Sequence, residues 1–221
     1  MIKLIKKNLS FVKSLYVNFI LFPFLDAIKI PVIVSYNTKI GELHRGSVLF
    51  ENISSKALSI GLWDGSFDGG SGKKNYFSIK KDGKLIIKEK AVFGSGCVIN
   101  IESQGKINLG KSFSTNYDFM ICCNDEISIG DNCLIGWNVT IMDGDGHILK
   151  KSNKQINTPS PIKIGNHVWL CSQVTVMKGA SIPNNSVIAY GSLVNKNLDG
   201  EYTIFGGIPA KIIDKGIVWT K

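Results

Sequence analysis

The sequence predicts an all-β chain wound into a three-sided coil of short parallel strands. Three observations lead there. From Ile164 an aliphatic residue recurs at every sixth position, through Leu170, Val176, Ile182, Ile188 and Val194. Four places after each of these stand Val168, Val174, Ala180, Ser186, Ser192 and Leu198, mostly small or β-branched. Asn and Gly punctuate the same rhythm at Gly130, Asn132, Gly136, Asn138, Gly165, Asn166 and Gly191, the residue types that tolerate a corner's backbone angles. A period of six matches neither an α-helix nor the two-residue alternation of a flat strand. It matches a short strand, a corner and the next face, three hexads to a turn. Each inward aliphatic then stacks on its equivalent one turn later, and the core is closed by stacking alone.

Four stretches follow from this rhythm. Residues 1–40 lie outside it. Their longest nearly apolar run, Leu15 to Leu25, is interrupted by Asn18 and Pro23 and falls well short of the roughly 20 residues that span a bilayer. Lys3, Lys6, Lys7 and Lys13 lie among Ile2, Leu4, Ile5, Leu9 and Phe11, a basic amphipathic pattern. This segment reads first as a helical or extended element packed on the main body or on a neighbouring subunit, and second as a peripheral membrane contact. Residues 41–126 read as irregular N-terminal rungs: the period loosens, although Phe93–Ile99 and Leu109–Thr115–Ile121 keep the spacing. Residues 127–199 carry the regular hexads, with Ile129, Ile135 and Ile141 before an interruption and Ile164 onward after it. Residues 200–221 form a C-terminal tail. The Gly-rich stretch from Gly61 to Tyr76 holds no phosphate-loop pattern.

The chain has 221 residues, 44% of them hydrophobic and 19% charged, enough for one substantial core. Its net charge of +9 suits an anionic partner, but the basic residues are scattered singly and no recognition element carries them, which argues against nucleic acid. Cys97, Cys122, Cys123, Cys133 and Cys171 include no CxxC pair, and no signal peptide with a cleavage site precedes them. They read as reduced packing residues of a cytoplasmic protein, with the inner membrane face as its second possible location. His44, His147 and His167 show no ligand-like spacing, so no metal is expected.

The interruption, "MDGDGHILKKSNKQINTPSPIK", is polar and rich in Gly, Asn, Ser and Pro. It predicts a loop over 143–161, leaving the coil at a corner with His147 at its root. Such a histidine is held by a rigid rung and can accept a proton near neutrality. Asp143 and Asp145 could orient its ring, but they read better as turn-shaping residues.

The run "IGNHVWLCSQVTVMKGASIPNNSVIAYGSLV", followed by "GIPAKII", resembles the hexapeptide-repeat acyltransferases, and within them the bacterial sugar and polysaccharide O-acetyltransferases. The likeness is close from about 127 to 213 and looser from 41 to 126. It implies a left-handed parallel β-helix, a homotrimer, and acetyl-CoA as the acyl donor. The acceptor would be a hydroxyl on a saccharide of a capsule, lipopolysaccharide or exopolysaccharide. Gly146–His147 matches the family's general base. Trp169 would border the thioester, the Ser172 N–H would serve as oxyanion donor, and the Tyr190 amide would bind further along the pantetheine arm. Asn195, Lys196, Pro209 and Lys211 would lie near the adenine and phosphates. Asn116 matches an acceptor-binding Asn. Cys171, Tyr190 and Asp214 depart from the usual Gly, Ala and basic residue at those places. His167 falls at a corner and reads as a surface turn. Two alternatives stand beside this reading: N-acetylation of an amino sugar or another small acceptor, and a non-catalytic trimeric module.

Overall fold

A computed structural model describes residues 2–63 and 73–220. Most of the Gly-rich stretch noted above, residues 64–72, therefore lies outside the described residues. Beyond an N-terminal helix, the chain winds through three faces in strict rotation. Every third strand returns to the same parallel sheet, apart from an antiparallel C-terminal hairpin and a small hairpin in the loop. This is the topology of a parallel β-helix.

The inward ladder is the one the hexads predict. On one face Phe77, Ile99, Ile121, Ile141, Val176 and Val194 stand in register and are all buried. On another, Leu109, Ile129, Ile164 and Ile182 do the same. The length of a turn explains where the rhythm is legible. Leu170 pairs with Ile188, and Val176 with Val194, each separated by a turn of three complete hexads. Ile99 pairs with Ile121, and Ile121 with Ile141, across turns longer than three hexads. The extra residues sit at corners, which hides the period without breaking the stacking. Phenylalanine fills these longer turns: Phe93, Phe113 and Phe119 are buried, with ring centroids 5.2–6.3 Å apart.

Corner chemistry fixes the register. Asp118, Asn138, Gln173 and Gly191 all take positive φ at one corner, and Asn132, His167 and Asn185 at another. At the second of these, the Asn166 side-chain oxygen accepts from the Asp131 N–H, and Asn184 accepts from the Asn166 N–H, both at 2.8 Å. A side chain at Gly165 would run into the Asn184 backbone nitrogen at 2.8 Å, so only glycine lets these turns stack.

The N-terminal segment forms a helix over Ile2–Leu21, packed on the main body as expected, but through a polar stripe. Ser10, Ser14 and Asn18, one turn apart, are buried against the edge strand Val32–Val34. The Val32 N–H donates to Asn18 Oδ1 at 3.0 Å, the Val34 N–H to Ser14 Oγ at 2.9 Å, and the Tyr36 N–H to Ser10 Oγ at 2.9 Å. An open sheet edge needs such partners. Among the described residues, no helix is long and apolar enough to cross a membrane.

Candidate active site

The interruption leaves the coil between Thr140–Met142 and Ile162–Ile164, so the loop lies between these two strands. Ile135 pairs with Leu170 across the whole insertion, and the strands on both sides stay stacked. Asp143 ties the loop's root to the preceding turn. Its buried carboxylate accepts the Asn124 N–H at 2.6 Å and the Asp125 N–H at 2.9 Å. Its carbonyl accepts the Ser160 N–H at 2.9 Å, closing the loop where it rejoins the coil. Within the loop, buried Asn157 gathers the remaining backbone. It donates to the His147 carbonyl at 2.7 Å and to Asp145 at 2.9 Å, and accepts from the Leu149 N–H at 2.6 Å.

His147 is therefore held by its backbone while its ring is exposed. Among the described residues neither aspartate bonds to that ring: Asp143 is spent on the corner at 124–125, and Asp145 on Lys178 at 2.5 Å and on Asn157. Both shape the loop, as the sequence favoured. The Lys178 ammonium, with help from Asn157, holds the Asp145 carboxyl below its usual range. That tether is complete above the ordinary carboxylate pKa and is lost only as pH falls through the depressed value.

The candidate donor residues occupy a different corner. Register places Asn116, Gly136, Cys171 and Ala189 in one column, and Tyr117, Trp137, Ser172 and Tyr190 in the next. The Cys171 N–H donates to the Ile188 carbonyl at 2.9 Å, so cysteine is accommodated where the pattern usually has glycine. Among the described residues the Ser172 and Tyr190 N–H groups have no acceptor; Ser172 Oγ accepts from the Trp137 N–H at 3.2 Å. Two unspent donors on successive turns of one edge can bind a carbonyl-bearing chain laid along it. Asn116 shares this edge, and its buried side-chain oxygen lacks a partner among the described residues. Trp169 projects outward on the adjoining face, 36% exposed. Asn195 and Pro209 are exposed, the latter at the tip of the hairpin formed by Thr203–Gly207 and Ala210–Lys215. Lys196 and Lys211 line one cavity of about 250 Å³ with Asp199 and Phe205. Asp214 accepts the Lys215 N–H at 2.8 Å.

No family profile matches the chain. Individual relatives do. Over 110 residues it is 36% identical to the galactoside O-acetyltransferase of Escherichia coli K12, covering 48% of this chain and 53% of that protein. It is 31% identical over 147 residues to a protein of the same strain provisionally named lipopolysaccharide biosynthesis O-acetyl transferase WbbJ. That match covers 62% of this chain and 74% of the relative. The chain belongs to the hexapeptide-repeat acyltransferases. Its fold matches the crystal structure of the polySia-specific acetyltransferase NeuO with a TM-score of 0.57 at 22% identity, over 85% of this chain and 74% of that one. The chain spans about half the length of the galactoside enzyme it matches.

In this hexapeptide-repeat protein His147 and the Ser172–Tyr190 edge lie on successive corners of the coil, so one chain does not gather them at one corner. One feature departs from the sequence reading. His167 does sit at a corner with positive φ, but it is not a plain surface residue. The Trp219 ring stacks on it at 4.1 Å and 5°, and the Trp219 indole N–H donates to its carbonyl at 3.0 Å. Trp219 also lies 5.9 Å from Trp169, pinning the C-terminal tail beside it. The sequence offered only a lone tryptophan in "GIVWTK" as a signal of this. All five cysteines are free, and burial pushes the Cys97 thiol up to about 12. The described residues contain no metal-binding cluster.

Proposed function

We propose that this protein transfers the acetyl group of acetyl-CoA to a hydroxyl of a saccharide, with His147 as general base. The observation that carries the reading is the loop root. A histidine stands exposed on a loop whose exit and return are fastened to the coil by Asp143 and Asn157. The relatives' names, galactoside and lipopolysaccharide O-acetyltransferases, support a sugar hydroxyl as the acceptor.

In this reading the neutral imidazole of His147 takes the hydroxyl proton as the alcohol oxygen attacks the thioester carbonyl. The carbonyl oxygen becomes an oxyanion and accepts the Ser172 N–H. The C–S bond then breaks, and the CoA sulfur leaves with the proton from the imidazolium. Tyr190 lends its N–H to the pantetheine arm, Trp169 borders the thioester, and Asn195, Lys196, Pro209 and Lys211 face the nucleotide end. Asn116 binds the acceptor. The coil is left-handed and the chain a homotrimer, in which the loop of one copy faces the donor edge of its neighbour. That arrangement unites residues that a single chain keeps on separate corners. Sedimentation at three times 24.2 kDa is the expected result, and a fully active monomer would contradict it.

The nucleotide end has its own test. Lys196 and Lys211 are exposed and share a cavity, so their attraction for phosphates is screened by salt. Lys211→Glu raises the KM for acetyl-CoA more than the KM for the acceptor, and added salt raises the parent's KM in the same direction. A donor KM indifferent to both would place the CoA tail elsewhere.

A further inference from the structure

The N-terminal helix is inside out. Its buried stripe is Ser10, Ser14 and Asn18, joined by Val17 and Leu21, while Leu4, Ile5, Leu9, Phe11, Val12, Tyr16 and Phe19 are 43–63% exposed. At 100° per residue these exposed side chains cover about half the helix circumference. That arc is far wider than the seam used by a paired helix. The short helix that follows, Phe24–Ala27, adds Phe24 and Leu25, and Ile28 just beyond it continues the surface; the three are 51–72% exposed. A patch of this extent on a folded protein marks a contact.

Charge selects the partner. Residues 1–40 hold six lysines and one acidic residue, Asp26, which is already paired with Lys29 at 2.7 Å. The helix itself contains no acidic residue. Lys6 flanks the apolar arc, and Lys6, Lys7 and Lys56 line a groove of about 650 Å³ between helix and coil. A second copy of the same surface would bring like charges together, whereas an anionic lipid surface supplies both the apolar phase and the counter-charge. We infer that this helix docks the protein on an anionic phospholipid surface, lying in the interface without crossing it. The inference does not rest on the proposed acetyl transfer.

The test is flotation of the full chain with phosphatidylcholine vesicles, with and without phosphatidylglycerol. The protein is expected to float with the mixed vesicles and to stay behind with the neutral ones. Lys6→Gln with Lys7→Gln weakens binding roughly fivefold for each lysine, and added salt does the same. Leu9→Glu with Val12→Glu, both exposed and outside the core, abolishes flotation while leaving the unfolding midpoint unchanged. The lysine pair keeps the test valid should the glutamate variant unfold. Failure to float on either vesicle overturns the inference, as does equal flotation on both that ignores the lysines. If the glutamate variant instead has a smaller assembly mass and the parent ignores lipid, the face joins copies of this chain and the inference falls.

Discussion

Replacing His147 with alanine is expected to lower turnover by roughly 10²–10⁴-fold, the range for losing a general base, while acetyl-CoA still binds and the protein stays folded. The ring is exposed and its position is set through its backbone carbonyl, which accepts from Asn157, so truncation opens no cavity and breaks no tether. His167→Ala is the matched control. That ring stacks on Trp219, so its loss costs about 0.5–1.5 kcal/mol of stability and leaves turnover close to the parent's. Measured side by side on one acceptor, the two variants must separate. Near-normal turnover in His147→Ala, or an equal loss in both, would return His147 to the status of a loop residue.

Asp143→Ala is expected to be the most destabilising single change at the loop. Two backbone N–H groups, those of Asn124 and Asp125, lose the only acceptor they have among the described residues, a buried carboxylate. At about 1–3 kcal/mol for each unsatisfied donor, the loss is roughly 2–6 kcal/mol. For a domain of this size each kcal/mol lowers the unfolding midpoint by about 2–4 °C, so the shift is readily seen in a thermal melt. Asp143→Asn keeps one acceptor oxygen and falls between alanine and the parent. Turnover drops as well, because the same residue fixes the root on which His147 stands. An Asp143→Ala variant that melts with the parent would show that the corner at 124–125 finds other partners and that the loop is anchored elsewhere.

The contrast between these residues shows what a sequence exposes. Hexads are legible from Ile164 to Val194 because each turn there is a whole number of hexads, and the same side-chain role returns on schedule. From Phe77 to Ile121 the stacking is equally strict, but longer turns put extra residues at the corners and blur the count. His147 stood out because it breaks a pattern. Asn157 and Lys178, which shape its loop, did not, since a polar residue in a polar loop carries no mark of its partner. Trp219 was hidden for a similar reason: its partner His167 lies far back along the chain, on a corner of the coil. The helix hid its packing side as well: the edge strand Val32–Val34 needed hydrogen-bond partners more than apolar cover, and Ser10, Ser14 and Asn18 supplied them.

Acetyl transfer to a sugar hydroxyl is open to direct assay. The purified protein is incubated with acetyl-CoA and a panel of saccharides, galactosides and acidic polysaccharides among them. Free thiol and the mass of each acceptor are followed together. Thiol release is expected to depend on a particular saccharide and to match, mole for mole, an O-linked acetyl group on it, with both signals lost in His147→Ala. Thiol release no faster than in buffer across the whole panel, with no acceptor gaining an acetyl group, would contradict the transfer.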